Sequence, residues 1–591
     1  MYLERISSPE DVRALPARAL PTLCEEIRRG IIESSSVVGG HMGSNLAVVE
    51  LTVALHRVFE TPRDKIVFDV SHQTYAHKML TGRAPAFLDP ARYEDVSGFS
   101  NPGESEHDLF AMGHTSTSVS LACGLATARD LAGEKYDVVA VIGDGSLSGG
   151  LAFEGLDNAA ELGSGLIIVV NDNEWSIAPN HGGIYRNLAE LRATRGASEH
   201  NVFRSLGLDY RYLENGHDVA ALEEALRELA GTDRPVVLHV HTEKGHGYEP
   251  ALADPEGWHH ATPFDVATGS PAQDLGSDDY ASITADHLVR RMERDRSLVA
   301  VSAATPYIMG FTPELRERAG AQFVDVGIAE EHAVTYVTGL ARGGACPVLG
   351  IYATFLQRSY DELWHDLCLN AAPAVILVFG ASAFGTTDAT HLGFYDIAML
   401  GDMPGLPYLA PTCREEYLDM LDWALDQTAG PVAIRVPVAG VESRPDFARP
   451  SDYACGYELV RRGSKVALLA LGDLFPLGEK VADELAARGV SATLVNPRLA
   501  TTVDEGLLAD LAENHELVVT IEDGIVDGGF GERCARVLAE RGRVRVRCYG
   551  LPRAFPDRYV PEELLASCGM TAEGITADVL ETLGVTNVRT A

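Results

Sequence analysis

VVAVIGDGS (Val138–Ser146) and LIIVVNDNEW (Leu166–Trp175) decide the fold of this chain. Each is an apolar run followed by a polar turn: strand Val138–Ile142 into Gly143-Asp144-Gly145, and strand Leu166–Val170 into Asn171-Asp172-Asn173. The interval between them has room for a turn, a helix and the next strand, the spacing of a parallel βαβ unit. Oxygen ligands from Asp144 and Asn173 at the carboxyl ends of neighbouring strands suit a hard divalent cation that holds a diphosphate. Glycines flanking Asp144 let the backbone approach phosphate.

Working outward, short β-rich runs alternate with longer helical patterns, which predicts an α/β chain of mainly parallel sheets flanked by helices. Strands are expected at Val138–Ile142, Leu166–Val170, Val236–Val240, Val299–Ser302, Ala374–Phe379, Val466–Leu471 and Leu517–Ile521. At 591 residues the chain exceeds one core, and three or four domains are expected. Two Gly-, Ser-, Asp- or Pro-rich breaks, Val266–Asp279 and Val441–Asp452, read as linkers. They leave domains at 1–265, 279–440 and 453–591.

A net charge of −37 argues against nucleic acid or an anionic membrane as the main partner. An anionic substrate would need local cations or a metal. The nine cysteines are scattered, with no ligand spacing, which predicts reduced thiols and a cytoplasmic chain. The amino terminus lacks a signal-peptide core, and the apolar runs are too short to span a bilayer.

Histidines recur beside glycines and hydroxyls: His41 in GGHMGSN, His72 and His77 in SHQTYAHK, His114 in GHTSTS, and His259 and His260 in WHHATP. One alone reads as a hydrogen-bonded loop residue. Several gathered in one pocket suit proton transfer around a carbonyl and an alcohol. Further on, Asp325–His332 (DVGIAEEH) runs from a strand into a helix start, where Glu330 can be a partly buried carboxylate facing a ligand. The competing reading is that Glu330 and Glu331 complement the helix dipole. Ile351–Arg358 (IYATFLQR) offers aromatics and a cation at another strand end, and Asp388–His391 adds a loop histidine.

Longer strings carry a resemblance. Gly39–Phe59 (GGHMGSNLAVVELTVALHRVF), Phe68–Arg83 (FDVSHQTYAHKMLTGR), Gly103–Ser120 (GESEHDLFAMGHTSTSVS), Asp325–Thr335 (DVGIAEEHAVT) and Ile351–Glu362 (IYATFLQRSYDE) resemble the 1-deoxy-D-xylulose-5-phosphate synthase family. Transketolase shares the architecture and matches these strings less well. The similarity runs in order over nearly the whole chain. It implies the thiamine-diphosphate-binding fold: a diphosphate domain, a pyrimidine domain and a transketolase-type carboxyl-terminal domain. It also implies thiamine diphosphate and Mg²⁺ as cofactors, and a homodimer.

Carried over residue by residue, the resemblance makes Asp144, Asn173 and the Trp175 carbonyl the metal ligands. It places His72, Gly113, His114, Ser116, Gly143, Gly145, Ile177 and Lys244 at the cofactor. Glu330 would hydrogen-bond the aminopyrimidine ring, and Phe355 would stack on it. His41, His72, His114, His260 and His391 would line the substrate site, with Tyr352, Arg358 and Asp388 near the acceptor; His260 is taken over His259 because it keeps the family register. The implied reaction decarboxylates a 2-oxo acid, with the cofactor as electron sink, and joins the remainder to an aldehyde.

The chain departs from the family around the acceptor. Of three arginines that hold the acceptor phosphate, Arg358 matches, whereas Gly380 and Val438 stand in the other two places, with Arg435 nearby in a different register. Charge-assisted hydrogen bonds contribute roughly 1.5–3 kcal/mol each, and neither glycine nor valine replaces a bidentate guanidinium. The segment after Ser176 is also shortened, and the aspartate before the Thr-His pair is shifted to Asp388. The expected function is therefore pyruvate decarboxylation and ligation to an aldehyde other than glyceraldehyde 3-phosphate. The rivals are the family reaction itself, a transketolase-like ketose donor, and a non-catalytic cofactor-binding paralogue.

Overall fold

A computed structural model describes residues 1–272, 279–450, 452–454, 456–542 and 544–585. The chain forms two compact units, Met1–Leu275 with Val326–Ala329, and Gly276–Asp325 with Glu330–Ala591. Of the two expected linkers, residues 273–278 and Ser451 lie outside the described residues.

The first unit carries a five-stranded, wholly parallel sheet. Its strands are β1 (Lys65–Phe68), β2 (Val138–Gly143), β3 (Leu166–Asp172), β4 (Asp209–Leu213) and β5 (Pro235–His241), in the order β1-β2-β3-β5-β4. β2 and β3 read as unbroken apolar runs because both faces are covered. Val139, Val141, Ile167 and Val169 enter one core with Ile27, Ile31, Leu51 and Leu55. The alternate residues Val138, Ala140, Ile142, Leu166, Ile168 and Val170 enter a second core with Ala122, Ala126, Ala152 and Ala159. Strand periodicity of two thus divides one sequence between two layers. Small residues on helices Ser118–Ala132 and Gly150–Ala160 let those helices lie close to the sheet.

The second unit holds two sheets. One is six-stranded and parallel: β6 (Leu298–Ser302), β7 (Phe323–Asp325), β8 (Cys346–Tyr352), β9 (Val375–Phe379), β10 (Tyr408–Leu409) and β11 (Val432–Arg435), ordered β10-β11-β9-β8-β6-β7. The other contains β12 (Glu458–Arg461), β13 (Lys465–Ala470), β14 (Ala492–Asn496), β15 (His515–Ile525) and β16 (Arg545–Leu551), ordered β12-β14-β13-β15-β16. Only the edge strand β12 is antiparallel among these pairings. The mainly parallel α/β class expected from the sequence is what forms.

All seven expected strands are present, several lengthened by a residue or more. The edge strands β1, β4, β7, β10, β12 and β16 were not among those expected, nor were the interior strands β8, β11 and β14. An edge strand shows one side to solvent, so its residues mix charge with apolar alternation, as in Arg545–Leu551. The described residues of the Val441–Asp452 connection form no helix or strand, yet they are fastened. Arg444 pairs with Glu479 at 2.7 Å and lies over the Phe475 ring.

The described cysteines are all free. No helix among the described residues is long and apolar enough to cross a membrane.

Buried ion pairs tie the two sheets of the second unit together. Arg498, after β14, donates to Glu416 at 2.9 Å and to Glu458 at 2.7 Å, and Glu416 is fully buried. Removing one partner leaves a buried charge uncompensated. Arg498→Ala is expected to destabilise this unit by about 3–5 kcal/mol, read as a lowered urea midpoint with loss of hydrogen-exchange protection along β13 and β14.

Candidate active site

In the first unit, β2 and β3 run in register with Gly143 opposite Asn171, so the turns that follow them emerge side by side. Asp144 opens a short 3-10 turn, Asp144–Ser148, and its carboxylate is buried. It accepts from the Asn173 amide N–H at 3.5 Å and from the Asn180 side-chain amide at 2.7 Å. The Asn173 side-chain oxygen accepts from the Trp175 N–H at 3.2 Å. Asp144, Asn173 and Trp175, expected together, are together.

Glycine is required at one of the flanking positions. A Cβ on Gly145 would lie 2.7 Å from the Ser176 Cβ, whereas beside Gly143 there is open space. Lys244 Nζ donates to the Ser176 carbonyl at 2.6 Å and lies 5.7 Å from the centre of the Trp175 ring. Burial pulls its pKa down to about 7, with Asp144 opposing. Ile177 and Trp175 stay partly exposed.

Burial, and then the neighbouring Asp172 carboxylate, push the Asp144 pKa well above the usual carboxylate range. Asp172 is itself compensated. It pairs with His239 at 2.8 Å and with Arg192, and His239 reaches the Tyr210 hydroxyl at 2.8 Å. Asp144 has no such cation, and Asn180 Oδ1 is a buried acceptor without a hydrogen-bond partner among the described residues. A divalent cation with a diphosphate fits this donor set of carboxylate, amide oxygen and main-chain carbonyl.

The histidines do gather. The His41 ring centre lies 5.0 Å from that of His72, 5.5 Å from His259 and 4.8 Å from His260. Asn45 makes this possible. Its side-chain amide donates to the His41 and His72 carbonyls at 2.6 and 2.7 Å, while its oxygen accepts from the Tyr75 N–H. His72 also meets Ser44 Oγ at 3.0 Å. His259 belongs to the cluster along with the expected His260, and burial holds its pKa well below the usual imidazole range.

His77 has a different task. It is buried between His56 and Asp108, with Arg83 on the same carboxylate. For this residue the plain structural reading is the right one. The loop bearing Gly113, half-buried His114 and Ser116 is fastened by Asp69, just past β1, whose carboxylate accepts from the Ser116 and Ser118 N–H groups at 2.8 and 2.9 Å.

In the second unit, Glu330 begins helix Glu330–Arg342 and is buried. Its Oε2 has no hydrogen-bond partner among the described residues, and Arg358 Nη1 approaches it to 3.6 Å. Burial raises its pKa, and Arg358 pulls the other way. Glu331 is half-buried and His332 is exposed against Tyr336; the dipole reading suits Glu331, while Glu330 is the buried carboxylate. Tyr352, at the end of β8, meets the Phe355 ring edge-on at 5.6 Å, and Phe355 meets His391 likewise at 5.6 Å. The Asp388 carbonyl accepts from the His391 N–H at 2.9 Å.

Asn45, Asp69, Asn180 and His239 were not among the expected site residues. Asn45 and Asp69 lie inside the quoted strings, so their position was visible and their partners were not.

These features define a class: a thiamine-diphosphate enzyme of transketolase type. Residues 3–201 match the 1-deoxy-D-xylulose-5-phosphate synthase family model, 278–442 the transketolase pyrimidine binding domain and 456–575 the transketolase C-terminal domain. The chain is 39% identical to 1-deoxy-D-xylulose-5-phosphate synthase of Pelotomaculum thermopropionicum, over 98% of this chain and 96% of that protein. It is 39% identical to that of Desulforudis audaxviator, over 97% and 96%. Among solved structures, transketolase from Campylobacter jejuni aligns over 96% of this chain and 100% of that one, at 15% identity and a TM-score of 0.43. The chain belongs to the 1-deoxy-D-xylulose-5-phosphate synthase family. It is a transferase whose cofactors are thiamine diphosphate and Mg²⁺.

The Gly145 contact gives a direct test. Gly145→Ala is expected to weaken Mg²⁺-dependent binding of thiamine diphosphate at least tenfold by isothermal titration calorimetry, with an unchanged far-ultraviolet circular dichroism spectrum.

Proposed function

We propose that this enzyme decarboxylates pyruvate and joins the two-carbon unit to an aldehyde other than glyceraldehyde 3-phosphate. The balance is pyruvate, aldehyde and a proton giving carbon dioxide and a 1-deoxyketose. The observation that carries the reading is the buried Glu330 carboxylate, with one oxygen lacking a hydrogen-bond partner. A group in that state needs a ligand proton or ring nitrogen to satisfy it.

In this reading Asp144, Asn173 and the Trp175 carbonyl hold Mg²⁺. Gly143, Gly145, Gly113, His114, Ser116 and Lys244 receive the diphosphate, with Ile177 and Phe355 against the rings. Bound thiamine diphosphate supplies a thiazolium that serves as the electron sink for decarboxylation. Glu330 holds a proton at the aminopyrimidine nitrogen, and its raised pKa suits that exchange. His41, His72, His260 and His391 move protons at the carbonyl and the new alcohol, with Tyr352, Arg358 and Asp388 toward the acceptor. The altered acceptor follows from Gly380 and Val438, which bring no cation. The same reading carries domain limits at 1–265, 279–440 and 453–591, a homodimer and a cytoplasmic location; sedimentation velocity tests the dimer.

The experiment is release of carbon dioxide from pyruvate by the Mg²⁺ holoenzyme across a panel of aldehydes. Turnover is expected with unphosphorylated acceptors, and a low KM for glyceraldehyde 3-phosphate overturns the altered-acceptor part. Glu330→Ala is expected to lower turnover by about 10²–10⁴-fold while Mg²⁺-dependent cofactor binding persists. Full activity in that variant removes the proton role.

A further inference from the structure

The carboxyl ends of β8, β9 and β11 lie side by side, with Tyr352 opposite Phe379 and Val378 opposite Arg435. Ligands bind outside the carboxyl ends of parallel strands in such sheets. Gly380, next after β9, has φ +64°, and a Cβ there would be 3.0 Å from the Tyr352 ring. Beyond β11 the chain continues through half-buried Val438 and exposed Ala439, whose two successive backbone N–H groups converge on a single oxygen. Such a pair forms a cradle for an anion.

Here the cradle is filled from within the protein. Asp473, just past β13 in the neighbouring sheet, places Oδ2 at 3.0 Å from the Val438 nitrogen and 3.4 Å from the Ala439 nitrogen. Asp473 remains partly accessible.

The surrounding charges are committed as well. Arg435 is fully engaged between Asp396, at 2.8 Å, and Asp523, and Ser382 donates to Asp523. Arg358 faces Glu330 at 3.6 Å. Around Asp388, Arg558 pairs with Asp557 at 3.5 Å. Asp396, Asp473 and Asp523 thus stand against one guanidinium, that of Arg435. A phosphate brought to this turn would meet a carboxylate in place of two donors. Like charges at contact distance repel, the more so where burial lowers the local dielectric. A neutral hydroxyl would instead donate to the accessible side of Asp473.

We infer that Asp473 is a specificity-determining residue, which excludes phosphate from the acceptor pocket and selects a short, uncharged hydroxyaldehyde whose distal hydroxyl it accepts from. The inference deepens the pyruvate-carboligase reading and rests on it for the identity of the reaction. To the absence of a cation at Gly380 and Val438 it adds a carboxylate held against the Val438–Ala439 turn, where absence alone predicts only weak binding.

The test uses the Mg²⁺–thiamine-diphosphate holoenzyme, wild type, Asp473→Asn and Asp473→Ser, the second replacement covering failure of the first to fold. Two readouts are taken: kcat/KM with pyruvate for glyceraldehyde against glyceraldehyde 3-phosphate, and binding of inorganic phosphate by calorimetry. Wild type is expected to favour glyceraldehyde at least tenfold. Either variant is expected to shift that ratio at least tenfold toward the phosphorylated aldehyde and to bind phosphate at least tenfold more tightly. Equal phosphate binding in all three proteins, or wild-type preference for glyceraldehyde 3-phosphate, overturns the inference. Failure of the underlying reading is distinct: no carbon dioxide is released with any aldehyde, and phosphate binding then decides the role of Asp473 by itself.

Discussion

Asp144 is a carboxylate buried at the end of one strand, beside Asp172 from the next, and among the described residues it is Asp172 that makes direct ion pairs. His239 and Arg192 balance Asp172, whereas burial and Asp172 itself raise the Asp144 pKa. Burying an ion without compensation is costly, and a cation at this position, as proposed, would stabilise its ionised form. Much of the first unit is built to deliver that situation. The in-register pairing of β2 with β3 brings the two turns together, two apolar layers fix the sheet, and Gly145 lets the Ser176 backbone close against the turn.

The same logic of partial compensation recurs in the second unit. Glu330 is buried with one guanidinium beside it, at a distance too long for a hydrogen bond. Arg358 offsets its charge, while the Glu330 Oε2 is buried without a hydrogen-bond partner among the described residues. At the end of β11 compensation runs the other way, with carboxylates outnumbering the nearby guanidinium and one of them occupying backbone donors. In the proposed reading the cofactor-facing sites lack charge that a ligand brings, while the turn assigned to the acceptor already carries the Asp473 carboxylate.

Much of this was legible in the sequence, for identifiable reasons. Asp144 and Asn173 follow continuous apolar runs, and glycine spacing marks a turn that approaches a ligand; both signals are local. Central strands such as β2, β3, β9 and β13 were visible because burial on both faces leaves no polar interruption, whereas the equally central β8, β11 and β14 were missed. Edge strands such as β12 and β16 were missed too, since half their surface is wet. The histidines at 41, 72 and 260 were visible as residue types beside glycines, but their convergence depends on Asn45, whose partners come from two separate loops. The motif around His77 looked the same in sequence and proved to be a buried ion network, because only its neighbours His56, Asp108 and Arg83 distinguish the two cases.

The sequence by itself determined the parallel α/β class, the pairing of the Asp144 and Asn173 turns at neighbouring strand ends, and the absence of a cationic side chain at Gly380 and Val438. These are properties of short segments, set by side-chain periodicity, backbone freedom and the presence or absence of a charged group. Only the tertiary structure decided which charges neutralise one another: Arg358 beside Glu330, Arg192 and His239 on Asp172, and Asp473 on the Val438–Ala439 turn. Those pairings join segments far apart in the chain. Their energies depend on burial and on the third group nearby, and neither quantity exists until the sheets have packed.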